Sequence, residues 1–110
     1  MASQTYNSMS HPDLLETLRN AGFSIHNAAN AQSYLLIQAS RRDVFRFALR
    51  YVFVIASENF SFRDLYAARI SADNFKGQII FVRTGAFLQG VPFHEEVIPY
   101  QDFLSRITTL

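Results

Sequence analysis

The stretch DVFRFALRYVFVIAS, Asp43 to Ser57, constrains the fold more than any other part of the chain. Taken alternately, Phe45, Phe47, Leu49, Tyr51, Phe53 and Ile55 are all large and apolar or aromatic. The intervening set is Val44, Arg46, Ala48, Arg50, Val52, Val54 and Ala56. Successive side chains of a strand point to opposite faces, so this alternation predicts one long β-strand. The competing assignment is a helix over Arg41 to Arg50 followed by a short strand. The aromatic stripe is expected in the core, where burial stabilises by roughly 1.5–3 kcal/mol per side chain. Any part of it that projects beyond the core becomes a surface for a partner or a second copy.

The flanking segments add a pattern of elements. DLLETLRNA, with Pro12 in its opening turn and Leu14, Leu15 and Leu18 on one stripe, predicts a helix that Gly22 ends. Phe23 to Ala29 is expected as a strand, with a loop over Asn27 to Gln32. SYLLIQA, Ser33 to Ala39, is an apolar strand buried on both faces, and Ser40 to Asp43 a turn. A second helix follows, capped by Ser61 and carrying Phe62, Leu65, Tyr66, Arg69, Ile70 and Phe75 near helical spacing, closed by Asn74 and Gly77. Gln78 to Thr84 reads as a buried strand and Ala86 to Gln89 as a loop. EEVIPY reads as a short edge strand or strand end, because of Pro99, and QDFLSRI as a closing helix. The expected class is α/β, mixed α+β. It has a helix, a three-strand meander, a helix and a strand, with the β–α–β unit parallel.

Size and composition narrow the function. The chain has 110 residues, enough for one domain. A flexible lead-in over residues 1–10 and a single domain over 11–110 are expected. There is no cysteine, which excludes disulfides and thiolate metal sites. This suits a cytoplasmic location. No apolar run reaches the ~18 residues that span a bilayer, and the N-terminus lacks the regions of a signal peptide, so no membrane contact is expected. The net charge is only +1, against the basic excess usual in a nucleic-acid binder. Neither GxxxxGK[ST], GxGxxG nor GxSxG occurs, so the expectation is no cofactor.

DLLETLRNAGF, FRDLYAARISADNFKGQIIFVRTGAF and EEVIPYQDFLSRI together resemble the PD-(D/E)xK nuclease superfamily, particularly Mrr-like restriction endonuclease domains. The resemblance covers roughly residues 13–107 and lies in hydrophobic patterns and turns. It implies a restriction-endonuclease-like core. It also implies an Asp on the second strand and a Glu or Gln, one residue, then a Lys on the third, which bind Mg²⁺ and position the nucleophile. Here the best register puts Val54 at the acid and Ala56 at the Lys, and SYLLIQA contains no carboxylate. Aliphatic groups cannot coordinate a hard cation. The expected function is therefore a catalytically inactive nuclease-like domain, not an enzyme, serving as a protein-interaction or regulatory module. Such domains occur fused to larger proteins, including NTPases of bacterial conflict and signalling systems.

Two alternatives remain. Asp43, Glu58 and Asp64 could form a relocated acidic cluster for a divergent metal-dependent DNA nuclease, against the plainer reading of a turn residue, a solvated acid and a helix-start acid. Glu16 is explained as well by an exposed helix face. Arg41, Arg42, Arg46 and Arg50 are the basic concentration and could bind nucleic acid without cleaving it, or pair with neighbouring elements. His94, Glu95 and Glu96 could offer metal ligands, but in an extended segment Glu95 and Glu96 point to opposite sides, and a solvated loop is the plainer reading. His11 and His26 are isolated. The partners expected are a protein or an adjoining domain, with a homodimer or nucleic acid as further options.

Overall fold

The computed structural model describes residues 13–45, 47–85 and 90–110. The lead-in, His11, Arg46 and the loop Ala86 to Gln89 lie outside the described residues. The class is mixed α+β, as expected. Residues 13–20 are helical (α1). Strands β1 (Ser24–Asn30), β2 (Tyr34–Arg42) and β3 (Ala48–Ala56) follow, then α2 (Phe62–Phe75), β4 (Gln78–Arg83), β5 (Val97–Pro99), α3 (Tyr100–Arg106) and a 3₁₀ turn over Ile107–Thr109.

The strands form one five-stranded sheet in chain order. β1, β2 and β3 are an antiparallel meander, and the β3–β4 and β4–β5 pairs are parallel. Both faces are covered. On one, Leu14 and Leu18 of α1 and Phe103 of α3 pack with Leu35, Ile37, Tyr51, Phe53, Ile55 and Val82. Phe53 is its hub, with the rings of Phe23, Tyr51 and Phe103 5.3–5.7 Å away. On the other, Leu65, Ala68 and Ala72 of α2 lie over Leu36, Val52, Val54, Ala56 and Phe81. This is why β2 reads as continuously apolar: its alternate residues feed two cores.

Three boundaries differ from expectation. β1 runs on to Asn30, through the expected loop, and carries a bulge between Ile25 and Asn27. β2 continues to Arg42 instead of ending at Ala39. The long strand from Asp43 is in fact a turn followed by β3 from Ala48, so its alternation spans two kinds of structure.

Ser61 caps α2 as expected, in a capping box with Asp64. At the other end the left-handed residue is Lys76 (φ 58, ψ 44), not the glycine after it. The Gly77 amide donates to Ala72 O at 3.0 Å, completing a Schellman motif. Glycine is needed at 77 for room: a Cβ there would sit 3.3 Å from the Tyr51 backbone. A left-handed lysine is strained. Lys76→Gly should therefore raise stability by about 0.5–1 kcal/mol, measured by urea denaturation.

Candidate functional site

β1 pairs with β2 only as far as Ser24 opposite Ser40, and β4 pairs with β3 only from Gln78 opposite Tyr51. The last β2–β3 pairs, Arg41 with Leu49 and Arg42 with Ala48, have no strand on either side. The ladder thus leaves the sheet as a projecting hairpin. Asp43 makes its turn: Oδ1 accepts from the amides of Phe45 and Phe47, both at 2.9 Å, and the Asp43 amide donates to Phe47 O. The carboxylate replaces missing ladder bonds. Asp43 is a turn residue, as the plainer reading had it.

The outer half of the aromatic stripe consequently lies outside the core. Val44 is 89% exposed, Phe45 76%, Phe47 68% and Leu49 38%, whereas Tyr51, Phe53 and Ile55 are buried. A second exposed stripe, Phe62, Tyr66 and Ile70, runs along α2. Sequence reasoning counted these with Leu65 as one apolar set. The small residues Ala68 and Ala72, in line with Leu65, were the signal for which face lies against the sheet.

Two arginines brace the hairpin from opposite faces. Arg41 Nη1 donates to Ala21 O and Ile107 O, and the guanidinium lies over the Phe23 ring at 4.4 Å. Arg50 Nε donates to Phe75 O at 2.8 Å and stacks over that ring at 3.9 Å. Ala21 follows α1, Phe75 ends α2 and Ile107 follows α3, so these cations meet carbonyls at helix C-termini that lack helical partners and carry partial negative charge. Alternation puts Arg41 and Arg50 on opposite sides of the sheet. The expected basic concentration is therefore divided, with Arg42 on the α2 side.

The remaining candidates are separated as well. Val54 and Ala56 are fully buried beneath α2, opposite Leu36 and Tyr34 of β2. Asp43 lies before β3 and Glu58 and Asp64 beyond its other end, so nine strand residues, about 30 Å, keep Asp43 from them. Glu58 is exposed beside Gly85. Asp64 Oδ2 accepts from the Ser33 hydroxyl at 2.7 Å and the Ser61 amide at 2.9 Å, tying α2 to the start of β2. Glu95 takes a bidentate bond from Arg69 at 2.7 and 2.8 Å, while Glu96 faces Arg106. Glu16 is exposed on α1. Among the described residues, no group of three or more His, Cys, Asp or Glu side chains could hold a metal. No described helix is long and apolar enough to cross a membrane.

Comparison of the chain with protein-family models, with curated proteins and with solved structures finds no match.

Two carboxylates are shifted. Partial burial pushes Asp64 up, but hydrogen bonds from the Ser33 hydroxyl and from the Ser61 amide and hydroxyl outweigh it and hold it below its ordinary 3.8. The Arg69 hydrogen bonds hold Glu95 below its ordinary 4.5, against partial burial. A lowered folded-state value means that the unfolded chain binds more protons in acid. Each group's contribution is present above the unfolded value and is lost as pH falls through the folded one. The thermal midpoint should therefore hold from neutral pH to about 5 and decline below it. Asp64→Ala should cost about 1–2 kcal/mol at pH 7, because the cap of α2 is lost, and should flatten part of that acid decline.

Proposed function

We propose that this chain is a non-cleaving domain of restriction-endonuclease-like build that holds a protein partner, or an adjoining domain of a larger cytoplasmic protein, on the tip of the β2–β3 hairpin. The observation that carries the reading is the exposure of Val44, Phe45 and Phe47 on a hairpin braced against both faces of the sheet. Large side chains held in place without burial are what a binding surface needs, since their ordering is settled before the partner arrives. Support for the nuclease-like build comes from the element order and the parallel β3–β4 pair after an antiparallel meander. Support for the absence of cleavage comes from Val54 and Ala56, which stand at the acid and lysine positions of the resembled motif and are sealed under α2.

The magnitudes favour a tethered partner. Burying three such side chains yields roughly 5–9 kcal/mol, while free association costs an estimated 4–15 kcal/mol. A linker that raises the effective concentration to the millimolar range removes much of that cost. A neighbouring domain in the same polypeptide, as in a bacterial conflict or signalling NTPase, fits this arithmetic best. Tip-to-tip pairing of two copies would bring Arg41, Arg42 and Arg50 of each toward those of the other, which is unfavourable.

The double variant Phe45→Ser, Phe47→Ser should keep the thermal midpoint of the domain, since both rings lie outside the core. In the full-length protein, a photocrosslinking phenylalanine analogue at position 45 should join one defined surface, mapped by mass spectrometry. Crosslinks scattered over many sites would refute the partner assignment. Mg²⁺-dependent plasmid cleavage abolished by Glu58→Ala or Asp64→Ala would establish the nuclease instead.

A further inference from the structure

The α2 stripe of Phe62, Tyr66 and Ile70 is exposed to 62%, 64% and 44% and lies on a different element from the hairpin tip. At 3.6 residues per turn these three side chains, with Arg63 and Asp73, fall within an arc of about 100°. That arc is turned away from the buried Leu65, Ala68 and Ala72. Arg63 and Asp73 are both exposed. They stand about 15 Å apart along the helix axis, too far to pair with one another. All nine acidic residues of the chain are among the described ones, and none forms an ion pair with Arg63. Asp73 acts on Arg69, one turn earlier, which Glu95 already holds by a bidentate bond. Beside the stripe, Phe62, Leu65, Tyr66 and Pro92, with Arg69 and His94, wall a hollow of about 140 Å³. It carries the apolar surface from α2 onto the segment before β5.

We propose that the exposed face of α2 binds a second copy of this chain, the two helices antiparallel about a two-fold axis level with Ala68. Such an axis sets each residue against the one equally far beyond Ala68 on the partner. Tyr66 meets the partner's Ile70, Arg63 the partner's Asp73 and Phe62 the partner's Asn74, and each contact is made twice. The face is thus its own complement. A parallel pairing would set Arg63 beside Arg63 and Asp73 beside Asp73, so charge selects the antiparallel one. The two rings and Ile70 supply the attraction, because their apolar area leaves water. The exposed ion pairs add little attraction and fix the orientation. A 14-residue helix is about 21 Å long, so the contact is smaller than the roughly 800 Å² per partner of a standard interface. The dimer is therefore reversible, with a dissociation constant on the order of 10–100 µM. This surface is separate from the hairpin tip: the tip can fail its crosslinking test while α2 pairs, and the reverse.

The test is sedimentation equilibrium of the 110-residue chain from about 5 to about 500 µM, a range that brackets such a dimer. The average mass should rise from monomer toward dimer across it. Tyr66→Glu should stay monomeric throughout and keep its far-UV circular dichroism, since the ring is exposed. Arg63→Asp and Asp73→Arg should each weaken dimerisation about 10-fold, because each sets like charges face to face twice. Both changes suit the α2 dipole, with an acid in the first turn and a base in the last, so the fold is kept. Combining Arg63→Asp with Asp73→Arg in one chain should restore the dimer, and so should an equimolar mixture of the two single variants. The tip variant Phe45→Ser, Phe47→Ser should dimerise like the unaltered chain. Three results would overturn the proposal: a monomer at about 500 µM, a dimer that Tyr66→Glu leaves intact, or a charge exchange that restores nothing.

Discussion

The antiparallel ladder of β2 and β3 runs from Tyr34 opposite Ala56 to Arg42 opposite Ala48, and it outruns both strands that flank it. A free two-stranded ribbon is marginal in water. Its projection therefore has to be held from outside the ladder, and Arg41 and Arg50 do this. Each lays its guanidinium on an aromatic ring and donates to backbone carbonyls at or just past helix ends. A lysine would supply the charge but neither the planar stacking nor the fork. The same contacts close the C-termini of the helical layers, so the hairpin and the helices order one another. The exposed aromatics follow from this one surplus of strand.

Legibility in the sequence followed the length scale of the signal. Local signals read correctly: Ser61 as a cap, Pro99 as a strand end and the two-sided burial of β2 all depend on neighbours within a few residues. Signals that depend on where another strand stops did not. The alternation from Phe45 to Ile55 is continuous in sequence, yet burial along it starts only at Tyr51, opposite Gln78, the first residue of β4. Nothing within Asp43 to Ser57 records the length of β4. The expectation of a core stripe therefore held for Tyr51, Phe53 and Ile55 and failed for Phe45 and Phe47. The alternative of an exposed, sticky tip describes the latter pair.

The arginines show the same limit. Four basic residues within ten positions look like a patch on paper, but period-2 geometry puts Arg41 on one face of the sheet and Arg42 and Arg50 on the other. Arg41 turns to the α1 and α3 side, where it meets Ala21 O, Ile107 O and the Phe23 ring, and Arg50 to the α2 side, where it meets Phe75.

The burial of Val54 and Ala56 decides what charged side chains would meet at these two positions. Both side chains are fully buried against α2, among Leu65, Ala68 and Phe81. A carboxylate at 54 and an ammonium at 56 would each face a desolvation penalty of several kcal/mol before any metal arrived. Their β2 neighbours, Leu36 and Tyr34, supply no second carboxylate to share a cation. That penalty is a large share of the roughly 5–15 kcal/mol that holds a domain folded. Ala68 and Ala72 are buried in the same cluster, so the α2 face over Val54 and Ala56 is apolar as well. Admitting charged side chains at these positions would require lifting α2 away, and with it the Ser33–Asp64 tether and the Arg50–Phe75 contact that anchor its two ends.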